Sequence, residues 1–447
     1  MSAKGMIELK LVKTAKIPVH YALTKRKLSI LNHLTAKTTY GAWLWSKLFD
    51  EHDLKGSYAD RARFYEQIKT ESGLPAVMVQ CCFDTASWMW KSYRKQLAEW
   101  KRRMRRAKGK WREKLLKREP QKPLSNGISR KIPVWFDHRI GSIEKSKIKL
   151  CPYLAKISTL RKGIKLTVLL NPSKYHLDLL SKDELKSFQI VNRDGEYFIH
   201  VKVEYDVPDQ PVCAVRGIDL GVKRSIASVT LRPNQPPRSS DFLIIGDGLK
   251  RDRLDHLNRR VAELQQAGKW EPLKRIRHKR RHVAEYFDRL SAKAIGDASN
   301  SCLVAVGCPK CIKYSNYKGN SKRFLRKLLA RWSYGRIIRY IREKCAERGI
   351  RTEAAEEQWS SVTCHRCGSR HTERVGQSLF HCWRCELWYN ADLNAAINIG
   401  SRFLAKPLTR RATVDLAYTE DEQAKEIIAC KLGSPNPIMG ESKSRVS

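Results

Sequence analysis

Two aspartates and two pairs of cysteines stand where their chemistry could be used. Asp219 closes the run Ala214-Val215-Arg216-Gly217-Ile218-Asp219-Leu220-Gly221, a β-like stretch that turns at Gly221. Asp392 lies in Tyr389-Asn390-Ala391-Asp392-Leu393-Asn394-Ala395-Ala396-Ile397-Asn398-Ile399-Gly400, which reads as a helix start. Carboxylates brought within a few ångströms cannot all stay ionised unless a cation joins them. A pair of Mg2+ ions about 4 Å apart resolves that conflict and suits phosphodiester cleavage, one ion activating water and the other stabilising the leaving oxygen. An Asp beside a Gly is by itself often only a turn; its pairing with Asp392 gives it weight. The cysteines imply a different metal. Cys364-His365-Arg366-Cys367 and Cys382-Trp383-Arg384-Cys385 are CxxC knuckles separated by 14 residues. That spacing suits one structural Zn2+ held by four thiolates, closed to substrate. His365 and His381 are neighbouring alternatives, but Cys364, Cys367, Cys382 and Cys385 already fill a tetrahedron. A third pair, Cys308-Pro309-Lys310-Cys311, lacks a partner pair and reads as a turn at a strand end.

Asp219 and Asp392 can meet only if the chain between them folds to bring them together. Strand patterns at Ala214–Leu220, Ile226–Leu231 and Phe242–Ile245 are followed by a long basic helical region, Lys250 to Ile295, with Leu254, Leu257, Val261 and Leu264 as its apolar stripe. A short buried strand at Cys302–Val306, an amphipathic helix over Arg323–Gly349 and a strand over 350–356 come next. Three strands, helix, strand, helix, strand and a last helix is the ribonuclease H-like order. That fold sets an acid on the first strand beside an acid on the last helix. The cysteine knuckles interrupt it between last strand and last helix, at the mouth of the site.

Upstream, residues 6–24 alternate apolar and polar, as at Ile7, Leu9 and Leu11, and read as one or two strands. Lys25 to Arg118 is helical and basic, and Lys91–Arg118 carries Lys or Arg at about every second residue. Trp88, Trp90, Trp100 and Trp111 interleave with those charges; most are expected in the helix core, with the charged face tracking phosphates. Pro120 to Ser129 marks a boundary, and residues 130–207 hold β-like runs such as Ile164–Leu170 and Tyr197–Tyr205, with Asp194-Gly195 as a hairpin turn. With the N-terminal strands these could close one small β-barrel into which the helical block is inserted. Pro208 to Pro211 links this half to the next, and the tail beyond Lys406 has a short helical pattern at Asp421–Cys430 before an end expected to be disordered.

Composition names the partner class. The 447 residues hold 88 Lys and Arg against 45 acids, a formal charge of +43. A chain that basic repels itself unless it meets a polyanion, and thermophile or halotolerant surfaces usually mix signs or run acidic. Nucleic acid is the expected partner. No stretch approaches the ~20 apolar residues of a membrane span, and Met1 to Lys25 lacks a signal peptide's apolar core. The expectation is an intracellular, cytoplasmic protein of prokaryotic type, with no membrane and no small-molecule substrate. Thirteen cysteines are too sparse for a disulfide scaffold.

Gly217-Ile218-Asp219-Leu220-Gly221, the CxxC pairs after Ser360-Ser361-Val362-Thr363, and Asn390-Ala391-Asp392-Leu393-Asn394-Ala395-Ala396 resemble the three landmark segments of the TnpB and type V CRISPR effector family. Detailed matching covers roughly residues 213–402; the N-terminal half fits only in organisation. The resemblance implies a multidomain α+β chain: a wedge-like β-barrel from residues 1–25 and 120–210, an inserted helical recognition domain at 26–119, a RuvC-like nuclease domain at 211–358 and 387–405, a target-nucleic-acid-binding zinc ribbon at 359–386 and a tail at 406–447. It implies a guide RNA that pairs with one strand of a double-stranded DNA target while side chains read a short flanking duplex motif. It carries metal-ligand roles onto Asp219 and Asp392, and zinc-ligand roles onto the four cysteines. One departure stands out. Most of the family has a catalytic Glu directly after the strand matching Leu303–Val306, where this chain has Gly307-Cys308-Pro309. Relatives with Gly there carry a Glu just ahead of the zinc ribbon, which here is Glu357 in Glu357-Gln358-Trp359-Ser360-Ser361. Its strand should lie about 5 Å from the one ending at Val306, within reach of a long side chain.

Two functions compete. The first is an RNA-guided endonuclease cutting DNA with Asp219, Glu357 and Asp392. The second is a nuclease-deficient guided binder that represses or recruits, supported by the missing Glu and opposed by the presence of both aspartates. An unguided nuclease or transposase leaves the basic helical insertion unexplained.

Overall fold

A computed structural model describes residues 8–19, 23–124, 127, 131–148, 151–182, 187–193, 195–222, 224–309, 332–375 and 378–404. They divide into two compact units, one spanning Lys10–Tyr205 and the other built on the chain from Asp206 onward. Among them, no helix is long and apolar enough to cross a membrane.

The first unit opens on β1 (Glu8–Pro18) and continues through α1 (Lys25–Glu51), α2 (Tyr58–Ser72), α3 (Ala76–Arg106) and α4 (Gly109–Leu116). Thr24 caps α1 by accepting the Lys27 amide, and Ser57 with Asp60 forms a reciprocal capping box on α2. α1 packs on α3 through Trp45, Phe49, Phe83 and Trp90, and the two indoles donate to Val79 O and Ser46 Oγ. The interleaved tryptophans depart from expectation. Trp90 is buried, but Trp88 and Trp111 are half exposed, and Trp100 is only partly buried, donating to Leu115 O. The buried residues of α3 stop at Trp90, because the Lys/Arg-dense segment beyond it offers no continuous apolar stripe.

The remaining strands are β2 (Trp135–Phe136), β3 (Gly141–Lys145), β4 (Tyr153–Ser158), β5 (Lys165–Leu170), β6 (Phe188–Arg193) and β7 (Glu196–Pro208), with a short α5 (Lys174–Leu180) after β5. They form two sheets, β1-β7-β6-β2 and β3-β4-β5, where the sequence suggested one barrel. A bridge between Val19 and Leu170 stitches them, but the two-residue β2 is too short to pair along both edges and close the ring. Arg193 pairs with Glu196 across the β6–β7 turn, with Gly195 at φ +91° as an Asp-Gly hairpin requires. Asp194 lies outside the described residues.

The second unit runs β8 (Ala214–Asp219), β9 (Arg224–Leu231), β10 (Phe242–Gly246), α6 (Gly248–Gln266), α7 (Trp270–Asp297), β11 (Cys302–Cys308), α8 (Tyr334–Ala346) and β12 (Thr352–Glu356). The ribbon strands β13 (Thr372–Val375), β14 (Leu379–Cys382) and β15 (Leu387–Asn390) then lead into α9 (Ala391–Leu404). Five strands make one sheet in the order β10-β9-β8-β11-β12, antiparallel from β8 to β10 and parallel from β8 to β12. The long basic helical stretch is a hairpin of two helices that breaks at Gly268, φ +63°. Asp288 on α7 accepts from Lys250 of α6, Ser333 and Arg336 of α8, tying the three helices together. About half of the expected 323–349 helix is seen as α8; residues 310–331 (Cys311 among them) and the tail from 405 lie outside the described residues.

Period-two alternation sorts the sheet's side chains. Ile218, Val304 and Val306 face the apolar cluster with α7 and α8, while Val215, Ala305 and Ala355 face α9. Gly217 and Asp219 therefore share the α9 face. A Cβ on Gly217 would lie 2.1 Å from Ala396 O, and one on Gly400 would lie 3.2 Å from Gly217 Cα. Only two glycines allow helix backbone this close to strand backbone. Two residues up the strand and four back along the helix, each about 6 Å, bring Asp219 level with Asp392.

Candidate active site

Three acids lie near one another at the C-terminal ends of β8 and β12 and the N-terminus of α9, close enough for the Glu357 and Asp392 charges to act on Asp219. Parallel register pairs Val306 with Ile218, Gly307 with Ala355 and Cys308 with Glu356, so Glu357 follows directly past the sheet edge. It shares the α9 face with Ala355, whereas Glu356 is exposed on the other face. The bare Gly307 makes room for it: a Cβ there would sit 2.9 Å from Glu357 Oε1 and 3.0 Å from its Cγ. The Glu357 side chain thus folds across the end of β11 toward β8, over the position where the family resemblance places a Glu.

The electrostatics follow from that crowding. Burial, then the Glu357 and Asp392 carboxylates, push Asp219 up to about 7, against the pull of Arg374 and a hydrogen bond from the Leu220 amide. Burial likewise pushes Glu357 up to about 7. Its Oε1 is buried with no hydrogen-bond partner. Asp392 is held by Arg374 at 2.6 Å and Arg224 at 3.4 Å. Asn390 Oδ1 caps α9 by accepting the Asp392 and Leu393 amides, fixing the carboxylate in the first turn. Buried acids that resist ionisation, with an oxygen left unpartnered, fit a hard divalent cation. Two further acids of this region do not join: Glu347 pairs with Lys344 and Glu353 is exposed. Cys308 ends β11, half-buried beside the α7–α8 cluster, as a strand-end residue.

Several contributors escaped the sequence reading. Arg374 and Arg224 reach Asp392 from a ribbon strand and from the start of β9, a convergence that only the fold creates. Asn390, Asn394 and Asn398 were readable, because they recur every four residues along one helix face. Asn394 donates to Thr363 O and accepts the amide and Nδ1 of His365; Asn398 donates to Ser360 O and Thr363 O. The helix bearing Asp392 thereby anchors the segment that leads from Glu357 into the cysteine module.

In that module the sulfurs of Cys364, Cys367, Cys382 and Cys385 all lie within 4.8 Å of one another, with Cys364 to Cys385 at 3.7 Å and Cys367 to Cys382 at 3.5 Å. The three-stranded β13-β14-β15 sheet and the first knuckle's turn, where Gly368 donates to Cys364 O, set this spacing. Neither histidine joins. His365 is bonded to Asn394, and His381 packs between Trp383 and Trp388 with Nε2 3.1 Å from Glu386.

With this geometry, similarity to known proteins can be placed on the chain. Residues 334–399 match the family model described as Cas12f1-like, TNB domain. The CRISPR-associated endodeoxyribonuclease Cas12f1 of Sulfoacidibacillus thermotolerans is 26% identical over 236 residues, 48% of this chain and 53% of that protein. A TnpB-like protein of Aquifex aeolicus is 25% identical over 234 residues, 48% of this chain and 76% of its own length. The chain thus spans about half the length of the Cas12f1 relative. Among solved structures, the mini-RNA-guided endonuclease CRISPR-Cas_phi3 shares the fold with a TM-score of 0.52 at 11% identity, covering 88% of this chain and 92% of that one. The resemblance to TnpB and compact type V effectors stands on the family model and these two relatives, and the solved structure agrees in fold.

Proposed function

We propose that this chain is an RNA-guided DNA endonuclease that pairs a guide RNA with one strand of a duplex target and hydrolyses phosphodiesters at Asp219, Glu357 and Asp392. The observation that carries the reading is that the Glu357 and Asp392 charges both act on Asp219, with Glu357 lying over Gly307. The strand order and its helices support a ribonuclease H-like, RuvC-type nuclease domain, and the four cysteines a zinc ribbon. The strands and helices of Lys10–Tyr205 are read as a wedge with an inserted recognition domain that reads a short motif beside the target. The +43 charge supplies the affinity for RNA and DNA.

Asp219, Glu357 and Asp392 would hold the two Mg2+ ions; Cys364, Cys367, Cys382 and Cys385 would hold Zn2+. When bound, the magnesium pair supplies an activated water and charge stabilisation for the leaving oxygen. The protein's own part is positioning. The Asn390 cap and the Gly217–Gly400 contact fix Asp392 opposite Asp219, and burial keeps competing water from the Asp219 carboxyl. Arg374 and Arg224 place cations where a phosphodiester would enter, and Arg374 ties that entry to the ribbon. A guided binder without cleavage is the second reading, favoured by the absence of a carboxylate at Gly307-Cys308.

The raised acids give a test that does not depend on cutting. Their folded values near 7 lie above unfolded values near 4. Their contribution to stability is therefore present below about pH 4 and is lost as pH rises through 7. A divalent ion binds the ionised pair and should restore it. Thermal unfolding with and without Mg2+ or Mn2+ should show a larger stabilisation at pH 8 than at pH 5.5, and Asp219→Asn should erase the difference. Equal shifts at both pH values would remove the carboxylates from the metal site. For the function itself, RNA that copurifies with the chain should direct its binding to matching duplex DNA, with affinity falling as salt rises; binding indifferent to that RNA would end the guided reading.

A further inference from the structure

Directly after Glu357 the chain makes a turn that is held far more firmly than a connection requires. Trp359 sits at φ +66°, the left-handed region that bulky residues avoid at a cost of order 1–3 kcal/mol. The turn around it is over-determined. Arg402 donates to Glu356 O and to Gln358 O; Ser360 donates through both N and Oγ to Glu357 O; Thr363 N donates to Trp359 O. Asn398 holds Ser360 O and Thr363 O from the helix side. What this fixes in place is an indole that remains 50% exposed. The Arg370 guanidinium lies 4.7 Å from its ring centroid. Trp359, Ala355, Phe403 and Arg402 line a concavity of about 420 Å3, with Glu356 and Gln358 on its edge.

We propose that this concavity is a nucleobase platform, on which Trp359 stacks one unpaired base of the DNA strand being cut. The proposal rests on the nuclease reading and deepens it. A flat aromatic face beside Arg370 and Arg402, in a chain of net charge +43, matches a base attached to phosphates. A base already stacked and paired in duplex has no free face to offer, so the occupant is single-stranded. Trp359 is two residues from Glu357, at most about 7 Å of chain, so a base seated there keeps a phosphate within a nucleotide or two of the carboxylates. Trp359 acts on the reaction as a positioning residue, setting which phosphate reaches the acids.

The test uses the full chain loaded with its RNA. Trp359→Gly removes the ring and relieves the left-handed strain, so it retains the turn; Trp359→Phe retains a stacking face. Target strands carrying one abasic site each, scanned around the cut, are the probes. Trp359→Gly should slow cleavage of intact DNA by about 10-fold, within the range of one base–aromatic stack, and Trp359→Phe should stay near wild type. One abasic position should slow the wild type by a similar factor and add nothing to Trp359→Gly. In parallel, 2-aminopurine scanned through the same strand, bound to Asp219→Asn protein, should be quenched at that position with Trp359 and bright with Gly. Wild-type rates for Trp359→Gly, or an equal loss on every abasic strand, would reduce Trp359 to a structural turn and overturn the platform. If the wild type cuts nothing, the nuclease reading fails by itself. The fluorescence scan then decides: no position dimmer with Trp359 than with Gly overturns the platform.

Discussion

Glu357→Gln is expected to lower cleavage of guided target DNA by roughly a thousandfold, the scale seen when one preorganised charge-stabilising group is removed, with guided binding intact. Glu356→Gln should remain within a few-fold of wild type. The substitutions are equal in size and chemistry and adjacent in sequence, so they isolate the face. Glu357 is folded over Gly307 with a buried, unpartnered Oε1, pushed up to about 7 by burial. Glutamine keeps that shape and removes the negative charge a hard cation needs. Glu356 is exposed on the other face of the strand, and its backbone carbonyl accepts from Arg402. Single-turnover cleavage with loaded complexes measures both. Reversed effects would mean that the strand register is off by one, and equal effects that neither acid is a ligand.

Cys364→Ser or Cys382→Ser should bind no zinc and lose the fold of residues 364–390. Metal binding in such modules is folding energy, with apparent values of about 10–16 kcal/mol in zinc-finger peptides. The ribbon holds little else: its apolar cluster is Phe380 and Ala391 around the cysteines, with Leu387 and Tyr389 packed against them. Arg374 rides on β13 and reaches Asp392, so unfolding the ribbon should also strip the acid site of that cation and slow cutting. Elemental analysis should find one zinc per wild-type chain and none in either variant, with limited proteolysis opening within the ribbon. One zinc per chain retained in the variants would contradict the four-thiolate site.

What the sequence disclosed and what it hid follow from the range of the interactions involved. The cysteines were legible because the spacing of the two CxxC knuckles is their geometry, whereas Asp219 and Asp392 gained weight only as a pair joined by the order of the elements between them. Glu357 came only from the family resemblance; the periodicity of β12 adds that it and Glu356 face opposite ways. The contact of Gly217 with Gly400 was not legible, because two glycines 183 residues apart announce nothing until strand and helix are packed. Arg374 reaches Asp392 only through the path of the ribbon. Trp88 and Trp111 were misplaced because the helix continues past its buried stripe, and propensity does not report where the bundle ends. The β strands were found but their closure was not, since sheet edges are decided by pairing across the chain. The left-handed Trp359 is the most local of these failures. No residue preference would have placed a tryptophan there, and only the over-determined turn maintains it.

The most direct test is cleavage by the purified complex, loaded with its own RNA, of a duplex containing the matching sequence in the presence of Mg2+. The account predicts that the wild type cuts, and that Asp219→Ala and Asp392→Ala bind the same duplex and leave it whole. If either variant cuts at the wild-type rate, the three-acid site is wrong. If the wild type binds its target through the RNA and cuts nothing in Mg2+ or Mn2+, the chain is a guided binder.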